Sequence, residues 1–148
     1  TEELHLFYNH LKNHFRSKIK RFIPSEEMFT ELYQNQHSKT FITKYKNKLI
    51  GGCTIILSQG NAYLWYLASK RKTFYPLHPD TVTVWNAIKY AHANHCEHFY
   101  FLYAGLPFKK SRFREFILRF GGKPVTKFRW FRIYIPWVNR LFSWLYRQ

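Results

Sequence analysis

Phe41-Ile42-Thr43-Lys44-Tyr45-Lys46-Asn47-Lys48-Leu49-Ile50-Gly51-Gly52-Cys53-Thr54-Ile55-Ile56-Leu57-Ser58-Gln59-Gly60-Asn61-Ala62-Tyr63-Leu64-Trp65-Tyr66-Leu67-Ala68 is the stretch on which the fold turns. Phe41, Thr43 and Tyr45 alternate with Ile42, Lys44 and Lys46, the period of a half-buried strand. Asn47-Lys48 suits a tight turn. Leu49 to Leu57 is mostly apolar, as a central strand buried on both faces would be. Gln59-Gly60-Asn61 turns the chain again, and Tyr63 to Ala68 makes a third strand. The stretch therefore reads as a three-stranded antiparallel meander.

Upstream, residues 3–18 read as a helix, with Leu4, Phe7, Tyr8, Leu11 and Phe15 on one stripe. Pro24 interrupts it. Ser25 has the character of an N-cap, with Glu26 and Glu27 near the positive end of a second helix that buries Met28, Phe29, Leu32 and Tyr33. Downstream, residues 70–79 form a basic loop with Pro76 and Pro79. Asp80 caps a third helix with the stripe Val84, Trp85, Ile88, Ala91, His92 and His95. A short strand over Phe99–Tyr103 and a loop over Ala104–Lys110 follow. Ser111 caps a helix that turns Phe113, Phe116, Ile117 and Phe120 inward, and Gly121 stands at its C′ position. Val125–Ile135 reads as a last strand, and Pro136 opens a short amphipathic helix.

Composition sets the class. The 148 residues are 46% hydrophobic and 21% aromatic, enough for a packed core and too apolar for a disordered chain. Cys53 and Cys96 are too few for a disulfide framework, and both are expected as free thiols in a reducing compartment. No apolar run approaches the ~20 residues that span a bilayer, and no signal pattern opens the chain. The expectation is a cytoplasmic protein. Lys and Arg number 24 against 8 Asp and Glu, a net charge of +16. Such an excess attracts phosphates, whether of tRNA, nucleotide cofactors or lipid headgroups. It is uneven: between Lys109 and Arg132 nine Lys and Arg stand against the single acid Glu115.

Three stretches carry a family resemblance. They are Ile23-Pro24-Ser25 with Met28-Phe29; Tyr63 to Ser69 with Trp85-Asn86-Ala87-Ile88 and Ala91; and Phe116-Ile117-Leu118-Arg119-Phe120-Gly121-Gly122. Their order and spacing resemble the GNAT acyltransferase superfamily, in particular its Fem-type branch of peptidoglycan bridge aminoacyltransferases, over residues 22–133. The resemblance implies an α/β (α+β) fold: a mixed sheet containing the antiparallel meander, flanked by helices on both faces. One GNAT-like domain over residues 1–136 is expected, with residues 137–148 a helix packed on it. The branch usually duplicates this domain, and the sequence matches a single, later copy. A second GNAT-like half or a homodimer is the partner this implies.

The resemblance also implies a site. In such enzymes the third meander strand and the following parallel strand splay apart, and the donor's amide chain pairs with the first of them. Here that places donor binding at Leu67, Ala68 and Ser69, facing Tyr103. Tyr103 is the candidate acid for the leaving group. Lys70, Arg71 and Lys72 are the candidates for the donor's phosphates. An acetyl-CoA-binding member has a glycine-rich turn after this strand. The loop Lys70–Pro79 has no glycine, a trait shared by Fem-type proteins. Those proteins carry a lysine at the position of Ile117, for which Arg114 is the candidate substitute. The expected function is acyl transfer, acetyl or aminoacyl, from acetyl-CoA or another acyl-CoA, or from aminoacyl-tRNA, to an amine. The alternative is a non-catalytic basic module holding RNA or another anionic partner.

No metal is expected. His92, His95, Cys96 and His98 lack a zinc spacing, and His10 and His14 at i, i+4 follow from a His-rich composition. In the C-terminal helix Trp137, Leu141, Trp144 and Leu145 share a face. Trp and Tyr beside Arg suit a membrane interface, but eleven residues suit packing against protein better.

Overall fold

The computed structural model describes residues 2–16, 23–102, 110–125 and 134–145. The chain divides into two compact units, Thr1–Tyr103 and Ala104–Gln148.

In the first unit, α1 (Glu2–Arg16) and α2 (Glu26–Gln34) precede β1 (Ser38–Tyr45), β2 (Lys48–Ser58) and β3 (Asn61–Ser69). A 3₁₀ turn (Tyr75–Leu77), α3 (Pro79–Ala93) and β4 (His98–Phe101) follow. The sheet order is β1-β2-β3-β4, with the first three strands antiparallel and β4 parallel to β3. The mixed α/β architecture is thus the expected one. Both meander turns place two residues at positive φ, Lys46-Asn47 and Gln59-Gly60. Such a pair twists with the strands, which is why two-residue hairpins favour it. The first turn lies one residue earlier than the Asn47-Lys48 expected from sequence, because Lys48 already pairs with Tyr45.

Gly51-Gly52 sets the layer spacing. A Cβ on Gly52 would lie 2.3 Å from a Phe7 ring carbon, and one on Gly51 would lie 3.0 Å from Thr83 Oγ1. The central strand is therefore pressed by α1 on one face and α3 on the other. On the α1 side Leu4, Phe7, Tyr8, Leu11, Phe15, Phe29, Tyr66 and Ala68 form one buried cluster. Full burial of rings such as Phe7 and Phe29 stabilises by about 1.5–3 kcal/mol each. Ser25 caps α2 as expected, its side chain accepting from the Met28 N–H. Met28 and Tyr33, expected inside, are exposed, and Phe29 alone of α2 is fully buried.

On the other face the stripe expected for α3 is met in part: Val84 and Ala91 are buried and Ile88 is half-buried. Trp85, His92 and His95 are exposed, and the buried residues are Pro79, Asp80, Thr83, Val84, Ala87 and Ala91. The reason is the close approach at Gly51, which admits only small side chains. Helical spacing alone does not distinguish Trp85 from Ala87 in this respect. Asp80 is likewise not the N-cap: α3 starts at Pro79, and the cap is His78 in the left-handed region (φ 42).

In the second unit, α4 (Arg112–Leu118) is capped by the Ser111 side chain and buries Phe116 and Ile117. Gly121 follows at φ +81, as a C′ glycine does. Ile117 is buried, so a lysine at that position would put a charge into an apolar contact. The last helix is α5 (Pro136–Leu145). Trp137 and Trp144 on it are 69% and 68% exposed, so the expected burial of these two rings is not found. The expected strand Val125–Ile135 lies largely outside the described residues; its ends at Val125, Tyr134 and Ile135 are not extended into a strand and are exposed.

Candidate functional site

The candidate site is made by one irregularity in β3. Thr54 faces Tyr66 and Ile55 faces Leu64, so Trp65 is an extra residue in β3, inserted between two paired positions of β2. This is a β-bulge, which bends its strand and sharpens its twist. It also sets two successive side chains on one side of the sheet. The Trp65 and Tyr66 rings lie 4.9 Å apart, and both meet Phe29 of α2, at 4.9 and 5.7 Å.

β4 pairs with β3 only from Asn61↔His98 to Leu64↔Phe101. The parallel pairing ends at the residue before the bulge. Among the described residues, Trp65–Ser69 has no strand on that side. Its hydrogen-bonding direction can be worked out from the end of the strand. The Lys70 N–H donates to the Ile50 carbonyl at 2.8 Å, across β2. Main-chain groups alternate sides along an antiparallel strand, so Ala68 also points to β2. The N–H groups of Leu67 and Ser69 then point to the open edge. Leu67, Ala68 and Ser69, expected as the donor-binding backbone, thus divide into two groups. Ala68 is 1% exposed and belongs to the α1 core, while the other two aim main-chain groups outward.

Beyond Ser69 the chain coils back on itself, with the Thr73 and Phe74 N–H groups both donating to the Lys70 carbonyl. Lys70 and Lys72 are exposed. Arg71 reaches the buried carboxylate of Asp80, its Nη1 3.4 Å from Oδ2. The other carboxylate oxygen, Oδ1, accepts from the Thr81 N–H at 3.0 Å. The first turn of α3 therefore already holds an anion, the chain's own Asp80, where a helix N-terminus favours negative charge. Of the three basic residues expected to meet phosphates, Arg71 is committed to that carboxylate, and Lys70 and Lys72 remain turned to solvent.

His10 of α1 also belongs to this neighbourhood. Its Nε2 is buried without a hydrogen-bond partner. Burial, then the nearby Lys70 ammonium and His14, hold its pKa down at about 4. Sequence reading weighed His10 only as a metal ligand. Among the described residues no three His, Cys, Asp or Glu side chains come together as a metal site. Cys53 and Cys96 are both unpaired, and burial pushes the Cys53 thiol up.

Tyr103 lies outside the described residues. Arg114 belongs to the second unit, where its main-chain N–H donates to the capping Ser111 Oγ at 3.3 Å and its side chain is half-buried. The bulge and the Arg71–Asp80 pair were not foreseen. Every residue from Tyr63 to Ala68 is apolar or aromatic, so the slip in period at Trp65 leaves no trace in the pattern.

A model of the acetyltransferase (GNAT) domain family matches residues 3–110. No curated protein matches the chain. Among solved structures, the chain is similar to an aminoglycoside acetyltransferase from an uncultured soil metagenomic sample, in complex with sisomicin. That match has a TM-score of 0.61 at 18% identity, covering 89% of this chain and 91% of the other. A ribosomal-protein-alanine N-acetyltransferase from Brucella melitensis biovar Abortus 2308 gives a TM-score of 0.63 at 11% identity, covering 89% and 93%. An acetyltransferase from Trypanosoma brucei gives 0.61 at 8% identity, covering 89% and 94%. At these identities the likeness is one of fold.

Proposed function

Because the chain belongs to the acetyltransferase (GNAT) domain family, we propose that it transfers an acyl group, acetyl in the simplest case, from a CoA thioester to an amine. The observation that carries this reading is the edge of β3 at Leu67–Ser69, on which no strand pairs among the described residues. An extended amide chain can add to such an edge by main-chain hydrogen bonds. The fit to CoA is uneven along its length. The edge suits the amide-bearing arm. The α3 N-terminus does not suit a pyrophosphate, because Asp80 occupies it and the loop has no glycine to bring N–H groups close. Lys70 and Lys72 are left to meet the phosphates as point charges.

When bound, the thioester supplies an activated carbonyl. The Leu67 and Ser69 N–H groups would hold the arm in line and polarise that carbonyl. The amine nitrogen attacks the carbonyl carbon, the C–N bond forms, and the C–S bond breaks. The amine's proton leaves to solvent, and the departing sulfur takes a proton from Tyr103 in this proposal. Arg114 takes the part of the lysine that Fem-type proteins have at the position of Ile117. The acceptor reading rests on charge: five of the eight acids, Glu2, Glu3, Glu26, Glu27 and Glu31, lie on α1 and α2. These helices cover the face on which Trp65 and Tyr66 lie, and they would draw a cationic amine there.

Membership of the Fem-type branch, aminoacyl-tRNA as donor, and a second GNAT-like half or homodimer are further parts of this proposal. A second reading has its own support. Asp80 seated at the α3 N-terminus and the glycine-free loop favour a basic binding module that holds RNA without catalysis. Thermal shift separates the two, since a ligand of the native state raises its melting point. Under our reading acetyl-CoA and free CoA raise the melting temperature, and Lys70→Ala with Lys72→Ala reduces the rise. A shift with tRNA and none with either CoA species would support the binding module instead.

A further inference from the structure

The second unit combines two features that a packed domain has no use for. The first is charge. Ala104–Gln148 holds eleven Lys and Arg against the single acid Glu115, so +10 of the chain's +16 sits in 45 residues. Lys110, Arg112, Arg119, Lys123 and Arg140 are exposed. The second is apolar surface in the open. Val125, Tyr134, Ile135, Trp137 and Trp144 are all at least half exposed. Trp137 and Trp144 stand seven residues apart on α5, two helical turns, and so share a face of the helix. On α5 the exposed Arg140 stands three residues after Trp137 and four before Trp144, so two open rings and a positive charge share one face, and an exposed apolar face of this kind marks a surface made for a partner.

We propose that this face of α5, aided by the positive charge of Ala104–Gln148, docks the protein on an anionic lipid bilayer. The chemistry selects that occupant over two others. A second copy would bring the same positive charge against itself, which opposes association. An RNA would gain from stacking on the tryptophans but nothing from Val125 and Ile135. A bilayer interface takes all of them: apolar side chains enter the headgroup boundary, Trp and Tyr sit at headgroup level, and Arg and Lys meet the lipid phosphates. Among the described residues no helix is long and apolar enough to cross a membrane, so the attachment is peripheral. Two signals acting together, a short amphipathic helix and a basic surface, are what peripheral binding requires.

The test uses the full chain and vesicles of phosphatidylcholine, alone or mixed with phosphatidylglycerol. Cosedimentation is expected with the mixed vesicles and little with phosphatidylcholine alone, and added salt should weaken it. Trp137→Ala with Trp144→Ala should weaken binding by at least about tenfold while the melting temperature stays unchanged. In the unmodified protein, amide hydrogen exchange over 136–145 should slow when mixed vesicles are added, a readout that needs no variant. Absence of binding to the anionic vesicles overturns the proposal, as does full binding by the double variant or exchange that does not slow. A dimer that the double variant dissociates would assign the face to a second copy. RNA binding that the variant abolishes, with vesicle binding intact, would assign it to nucleic acid.

Discussion

In Thr1–Tyr103, thirteen basic residues stand against seven acids; in Ala104–Gln148, eleven stand against one. The first unit seals Phe7, Leu11, Phe29, Ile50 and Val84 at 2% exposure or less, whereas the second buries Phe116 and Ile117 and leaves Trp137 and Trp144 in the open. Packing and charge therefore trade places along the chain. The first unit is built so that side chains determine backbone positions to a few tenths of an ångström, as the glycine pair shows. Among its described residues the second leaves large apolar side chains on the surface, and surfaces of that kind take their meaning from what they touch. The family match, ending at residue 110, falls almost wholly on the packed unit.

The contrast predicts that substitution is most costly where α1 meets Gly52. Phe7→Ala should cost about 3–5 kcal/mol, because a fully buried ring is replaced by a cavity. The converse change, Gly52→Val, drives a branched side chain into that ring and should cost about 1–3 kcal/mol or more. Denaturant melts of both variants check this. Melts that match the unmodified protein would mean that α1 does not set the position of the central strand.

A proline distinguishes the two edges of β3. At Ser69 the N–H points to the open side, so Ser69→Pro removes one proposed donor to the acyl carbonyl without breaking a bond to β2. Acyl-transfer rate should fall roughly 10²–10³-fold, the usual effect of losing one such donor. The melting temperature should move little. Ala68→Pro, one residue away, should instead unfold the strand, since its N–H belongs to the β2 ladder. Equal effects of the two prolines on stability would show that the open edge is not open.

His10 gives the packed unit a pH dependence. Its pKa is held down at about 4 in the folded chain, below the ordinary 6.5. Between those values the unfolded chain binds a proton that the folded chain refuses. The stability contribution is complete above about pH 6.5 and is lost as pH falls toward 4. His10→Phe should flatten the fall of melting temperature over that window and change it little at pH 7.5. A variant with the same slope as the parent would show that His10 titrates freely.

The sequence reading succeeded where one physical rule acted alone. Period two in Phe41–Tyr45 and the stripe Leu4, Phe7, Tyr8, Leu11, Phe15 both reflect simple exclusion of apolar groups from water, and both elements form as expected. It failed where shape competed with hydrophobicity. On α3 the close approach at Gly51 makes Thr83 and Ala87 the inward residues, a steric fact that bulk cannot reveal. The segment Leu67 to Lys72 could be singled out from the sequence, but its local geometry could not. The bulge at Trp65 is silent in an unbroken apolar run, and the Arg71–Asp80 pair joins residues whose neighbourhood depends on the coiled turn between them.

The smallest effect is expected at Trp144, and it bears on the comparison most directly. A tryptophan at a helical apolar stripe is ordinarily a core residue, and its removal from a core costs about 3–5 kcal/mol. Here the ring is 68% exposed. Little of its surface leaves water on folding, so Trp144→Ala should change stability by no more than about 0.5 kcal/mol, the range of ordinary surface substitutions. Alanine also has the higher helix propensity, which offsets part of even that loss. The same substitution in Phe29, an aromatic of the packed unit at 1% exposure, is the internal control and should fall in the full core range. Denaturant melts of the two variants, read side by side, measure how far the two units differ. If Trp144→Ala costs as much as Phe29→Ala, the helix face is packed against protein in solution, and the division between a core unit and a surface unit collapses.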